Sequence, residues 1–234
     1  MIRASQNLPE RVRWVRAEIA AAAASVGRNV SDITLLAVSK AQPAEAMRAA
    51  FAAGLTDFGE SYLNEALEKF AALEDLPLTW HFIGRLQANK TRPIAERFQW
   101  VHGVDRLQIA ERLALQRPVH APPLNICLQV NLAGESSKAG VAPAELPALA
   151  AAVAALTRVR LRGLMCIPPP QSDPAGQRAW FAQLRRLRDG LNAEGAALDT
   201  LSMGMSADFP TAILEGSTIV RVGTALFGAR PARA

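Results

Sequence analysis

Short apolar runs alternate along this chain with longer stretches in which apolar residues recur every three or four positions. The runs read as buried strands and the stretches as amphipathic helices. The first run, Ile33-Thr-Leu-Leu-Ala-Val-Ser-Lys40, is bounded by Ser31-Asp32 and Gln42-Pro43. Its near-continuous apolar character marks a strand covered on both faces, as in parallel sheets. Seven more strands are expected over 57–60, 79–84, 100–104, 124–130, 159–167, 198–203 and 218–222. Helices are expected over 8–26, 43–53, 64–73, around 94–98, then over 107–116, 144–156, 177–192 and 209–214. Trp180, Leu184, Leu187 and Leu191 form the apolar stripe of the long one, and Pro168, Pro169 and Pro170 close the sixth strand. Eight strands, with a helix between each and the next, predict an α/β chain whose parallel sheet closes into a (β/α)8 barrel. The additional helix at the front should plug or flank it. No linker or composition shift divides residues 1–234, so one domain is expected.

Composition adds bounds to that picture. With 50% hydrophobic and 20% charged residues the chain is globular. The net charge of +5 favours anionic ligands, but it is spread along the chain. Clusters such as Arg185-Arg186-Leu187-Arg188 have the spacing of a solvated helix face, and no nucleic-acid motif is present. Cys127 and Cys166 sit in apolar runs without a paired partner and read as buried, reduced thiols. The three histidines lack metal-ligand spacing. Without a signal-like leader or a long apolar span, a cytoplasmic protein that binds neither membrane nor nucleic acid is expected.

Charge usage singles out one residue. Of 26 basic side chains only four are lysines, Lys40, Lys69, Lys90 and Lys138, and Lys40 closes the first strand. Ligands of such folds gather at the carboxyl ends of strands. A desolvated lysine there is a nucleophile, which arginine is not; the plainer alternative is a lysine reaching into solvent. The strand ends also collect Glu60, Ser61, His81, Asn131, Met165, Ser202, Ser206, Arg221 and Gly223. The loops after the last two strands, Ser202-Met-Gly-Met-Ser206 and Arg221-Val-Gly-Thr224, fall where barrels commonly bind phosphate. Alternation turns Arg221 away from Val220 and Val222 and into the barrel, where it either serves a ligand or pairs with a residue such as Glu60. His81 on an apolar strand also reads as a satisfied core histidine, Met165, Met203 and Met205 as packing, Asn131, Glu135 and Lys138 as loop, and 86–90 as polar surface.

The segments AVSK, FGESYLNEA, WHFIGRLQANK, QVNLAGESSKAG, GLMCI, LSMGMSADF and VRVGTALFG resemble, in order and across nearly the whole chain, the YggS/PROSC family of pyridoxal phosphate homeostasis proteins. The resemblance implies a barrel of the alanine racemase N-terminal-domain type (PLP fold type III) that binds pyridoxal 5′-phosphate (PLP). It implies that Lys40 forms the Schiff base, that Ser206, Gly223 and Thr224 cradle the phosphate, and that Arg221 faces the pyridine nitrogen. Ser61, His81, Met165 and Ser202 complete the expected cofactor site. Ser61 departs from the family pattern, which has asparagine near the cofactor's phenolic oxygen; its shorter hydroxyl implies contact through water and a weaker or spectrally altered Schiff base. The implied role is intracellular vitamin B6 homeostasis: buffering PLP, or delivering it to apo PLP-dependent enzymes, as a monomer or weak dimer without catalytic turnover. The alternative is an amino-acid racemase. Two-base racemisation needs a second acid/base, a tyrosine in the racemases, and this chain has one tyrosine, Tyr62, and ends just past the eighth strand.

Overall fold

In the computed structural model, which describes residues 7–135, 139–169 and 173–229, the eight apolar runs form eight parallel strands in one closed ring. They are β1 Thr34–Val38, β2 Asp57–Glu60, β3 Thr79–Phe82, β4 Trp100–Val104, β5 Leu124–Gln129, β6 Val159–Met165, β7 Thr200–Met205 and β8 Ile219–Val222. Each pairs with the next, and β1 pairs with β8 in the register Leu36↔Arg221 and Ala37↔Val222. The helices are α1 Leu8–Ser25, α2 Ala44–Ala52, α3 Leu63–Ala72, α4 Thr91–Arg97, α5 Leu107–Gln116, α6 Leu146–Ala154, α7 Pro174–Ala193, α8 Phe209–Leu214 and α9 Thr224–Phe227. The expected (β/α)8 barrel is therefore present.

α1 starts on a capping box: Asn7 accepts from the Glu10 backbone N–H at 3.0 Å, and the Asn7 N–H donates to Glu10 Oε2 at 3.1 Å. Its buried face, Val12, Val15, Ile19, Ala22 and Ala23, packs against α8 and α9. The helix thus flanks the barrel where the ring closes and does not plug it.

Boundaries differ from expectation where an apolar residue is buried outside the sheet. β1 stops at Val38, so Lys40 lies in the turn beyond it, and Ala41 takes a left-handed φ of 61°. β7 begins two residues later than the apolar run and continues through Gly204 to Met205. In α7 the inward position belongs to Phe181, fully buried, while Trp180 is half-buried. Leu86 is buried within an otherwise polar turn. Pro170 and Lys138 lie outside the described residues.

Two interiors result. One continuous apolar layer fills the space between ring and helices. Inside the ring, Leu36, Cys127, Met165 and Ile219 are buried apart from that layer, among Asp57, His81, His102, Ser202 and Arg221. Among the described residues no helix is long and apolar enough to cross a membrane, and no trio of His, Cys, Asp or Glu could hold a metal ion.

Candidate functional site

At the carboxyl end of the ring a cavity of about 270 Å³ is lined by Lys40, Ser61, Ser206, Arg221, Gly223 and Thr224, with Val38, Ile83 and Ile167 as apolar walls. It joins the first and last strands because the ring closes between β1 and β8.

The backbone around Lys40 is held from both sides. Lys69 on α3, 5% exposed, donates to the Ser39 carbonyl at 2.8 Å, to Glu60 Oε1 at 2.7 Å and to Glu65 Oε1 at 2.5 Å. Ser39 Oγ donates to Glu60 Oε1 at 2.6 Å, and the Ala41 N–H donates to Glu65 Oε1 at 2.6 Å. Residues 39 and 41 are thus pinned to one buried cation and two carboxylates. This accounts for the left-handed Ala41, a conformation that costs a non-glycine residue on the order of 1 kcal/mol and persists only where its surroundings impose it. Burial pushes the Glu60 carboxyl upward against the pull of Lys69, and Glu60 Oε2 is buried without a hydrogen-bond partner.

Across the cavity, Ser206 Oγ accepts from the N–H groups of Gly223 and Ala225, each at 3.2 Å. Two backbone donors converging on one oxygen make the arrangement an anion takes. A Cβ on Gly223 would stand 3.4 Å from the Cβ and carbonyl oxygen of Val38, in the cavity itself. Gly204 has φ 91°, and a Cβ there would lie 2.6 Å from Ala212 Cβ, so glycine is required for the chain to turn out of β7 toward Ser206. Asp208 secures the same turn by accepting from the Met205 N–H at 2.6 Å.

Arg221 forms the floor. Its Nη1 donates to the Ser202 carbonyl at 2.6 Å and to Ser202 Oγ at 2.9 Å, and its Nη2 donates to the Cys166 carbonyl at 2.9 Å. Three of the five guanidinium N–H donors are thereby engaged, and Arg221 at the same time lines the cavity. Burial pulls the guanidinium below its ordinary pKa without threatening its charge. The pairing of Arg221 with Glu60 does not occur: Glu60 faces away from the ring's interior and is taken by Lys69 and Ser39.

His81, Met165 and Ser202 are not among the residues that line this cavity. Side chains on one face of a strand recur every second residue. The pocket layer belongs to Ile83 and Ile167, each two positions beyond His81 and Met165. Ser202 lies beneath Arg221, and Ser206 is its counterpart in the wall. His81, buried, bonds Asp57 at 3.1 Å and His102 at 3.0 Å, and stacks on Trp100. Sequence reasoning missed Lys69, Glu65 and His102. The Glu65–Lys69 spacing of four on a helix was the available signal for the first two; for His102 there was none, since its partners are on other strands.

A groove of about 590 Å³ shares Lys40, Ser61 and Ile83 with the cavity and runs outward past Tyr62, Arg85 and Lys90. A larger cleft, about 630 Å³, lies among α6, β6 and α7. It is lined mostly by alanine, proline and leucine, so size alone does not make it the site.

Residues 15–231 match the family model of the alanine racemase N-terminal domain. The pyridoxal phosphate homeostasis protein of Pseudomonas aeruginosa is 61% identical over 96% of both chains. That of Escherichia coli K12 is 51% identical over 96% of this chain and 97% of its own. PipY of Synechococcus elongatus PCC7942, solved with PLP bound, superposes with a TM-score of 0.84 at 41% identity, covering 95% of this chain and all of that one. An alanine racemase from Corynebacterium glutamicum, 17% identical, shares the fold with a TM-score of 0.69, and this chain covers 61% of its length.

Proposed function

Because this chain belongs to the family of pyridoxal phosphate homeostasis proteins, built on the alanine racemase N-terminal domain, we propose that its cavity binds PLP and holds it for vitamin B6 homeostasis. The observation that carries this reading is one cavity that joins a primary amine, two converging backbone N–H groups and a buried guanidinium with donors to spare. When bound, PLP supplies an aldehyde that links reversibly to an amine and a ring whose electron demand depends on its nitrogen's partner. Lys40 supplies the amine. Ser206, Gly223, Thr224 and the Ala225 N–H hold the phosphate. Arg221 faces the ring nitrogen with a donor and does not give up its proton, so the nitrogen stays unprotonated and the ring a weak electron sink. Ser61 lies in the wall shared with the outer groove, within reach of the ring's phenolic side through water.

Such a site favours holding over turnover. Two-base chemistry needs a second acid/base on the ring's opposite face. Tyr62, the sole tyrosine of the sequence, borders the outer groove and is absent from the cavity lining. We take the protein to be non-catalytic, cytoplasmic, monomeric or weakly dimeric, and to pass PLP to apo PLP-dependent enzymes, with the groove beside Lys40 as the way out.

The test is absorbance of the purified protein with PLP, then borohydride reduction and peptide mapping. The expected result is a yellow protein with the pyridoxyl group fixed on Lys40, and in Lys40→Ala no such label but residual phosphate-anchored binding. A colourless protein that takes up no PLP, or equal labelling of Lys40→Ala, overturns the reading.

A further inference from the structure

Below the cavity a line of polar side chains crosses the barrel interior from β8 to β2. Arg221 Nη1 meets Ser202 Oγ at 2.9 Å, and Ser202 Oγ meets His102 Nδ1 at 2.7 Å. His102 Nε2 meets His81 Nδ1 at 3.0 Å, and His81 Nε2 meets Asp57 Oδ1 at 3.1 Å. Ser202, His81 and His102 are at most 1% exposed; Asp57, a quarter exposed and also bonded by Thr56, is where the line reaches solvent.

The two ends fix the polarity of everything between them. An ionised carboxylate only accepts, so His81 Nε2 carries a proton and donates it to Asp57. His81 Nδ1 is then an acceptor, and His102 Nε2 must donate to it. His102 Nδ1 is in turn an acceptor and takes the Ser202 hydroxyl proton, which leaves the Ser202 oxygen lone pairs for Arg221. Guanidinium only donates, so the last link agrees with the first. All four bonds run one way, from cation to carboxylate, with both imidazoles neutral. The reversed line requires an imidazolium at His81, and burial disfavours a charge on either ring. The nearby charges do not compete for these groups: Arg162 is held by Asp199 and Asn125, and burial keeps Cys127 and Cys166 neutral, each pushed up to about 12. Asp208 is the other carboxylate whose field reaches Arg221.

We propose that Asp57, His81 and His102 are positioning residues for Arg221. Acting through Ser202 as one hydrogen-bonded chain of fixed direction, they set which guanidinium N–H groups Arg221 turns toward the cavity. The chain stands on its own geometry; only the identity of what Arg221 faces rests on the PLP reading.

The first test uses the unloaded wild-type protein with 15N-labelled histidine and arginine. Long-range imidazole correlations at neutral pH should show His81 and His102 both neutral, protonated at Nε2 and bare at Nδ1, with exposed His120 as the internal reference. Arg221 should give separate, slowly exchanging Nη signals. A ring protonated at Nδ1, or an imidazolium, overturns the fixed polarity. The second test cuts the chain at its accessible end. Asp57→Ala should change the His102 tautomer signals and merge the Arg221 Nη signals, although it touches neither residue, and Asp57→Asn, which keeps an acceptor oxygen, should restore both. If Asp57→Ala alters His81 alone, the chain does not act as a unit and the proposal fails. In loaded protein, Ser202→Ala should shift the long-wavelength band and weaken PLP binding on the order of tenfold, the scale of one hydrogen bond to a charged group. A protein that takes up no PLP would sink the proposed function while the tautomer measurement still decides the chain.

Discussion

At the scale of single residues, what distinguishes Lys40 is less its own side chain than the residues that immobilise its neighbours. Lys69 neutralises Glu60 and Glu65 and holds the Ser39 carbonyl. Lys69→Met should therefore cost about 3–5 kcal/mol in urea unfolding, because it leaves Glu60 buried without its cation. Adding Glu60→Gln should recover part of that loss, and a simple sum of the two effects would show that the pair is not coupled. The buried histidines give a separate signature. His81 and His102 are held below the ordinary 6.5 by burial, so below that value the unfolded chain takes up protons that the folded one refuses. Stability is fully present above 6.5 and falls as pH drops toward the folded values, by about 1.4 kcal/mol per unit for each histidine. Burial pushes Asp57 upward, but its bonds from His81 and Thr56 outweigh this and hold it low, so its share is lost below its ordinary 3.8. Urea midpoints across this range should fall in the first window for wild type and less steeply for His102→Gln.

At the scale of elements, the apolar runs located every strand, because a run between two polar turns has few other places to go in an α/β chain. β2, β4, α5 and α8 begin and end where the pattern places them. β7 was displaced for a physical reason: Gly204 and Met205 look like loop, yet a φ of 91° lets the strand reach Met205 while presenting Ser206. Gly204→Ala should cost more than the ~1–3 kcal/mol of a strained backbone residue, given the clash with Ala212, and should weaken PLP uptake by moving Ser206; denaturant curves and equilibrium dialysis would show both. The candidate site was legible to the same depth as the strands. Alternation tells whether a side chain faces the barrel interior, as it does for Arg221, but not how far down it lies. His81, Met165 and Ser202 were expected at the site on that alternation, and they are buried outside the lining of the cavity. The line through His102 was illegible altogether, since it joins five strands whose register only the ring sets.

At the scale of the whole molecule, the ring makes each strand depend on both neighbours, and no strand is an edge. A single closed ring therefore predicts one transition. Trp14, Trp80, Trp100 and Trp180 report from α1, β3, β4 and α7, so their fluorescence should lose its native signal together with the far-UV dichroism. Separated midpoints would divide the chain into two units. PLP at a hundredfold excess over its dissociation constant should add about 2.7 kcal/mol and raise the melting temperature accordingly. The seam between β1 and β8 has a consequence in time as well as in space. During synthesis Lys40 leaves the ribosome before β2 to β8, and Arg221, Gly223 and Thr224 only after β7, so amine and anion cradle meet only when β8 closes the ring. Chains stalled before β8 should carry no pyridoxyl label above that of any exposed lysine. A polypeptide still short of β8 thus sequesters no cofactor, and the capacity to hold one arrives in a single step with the closed ring.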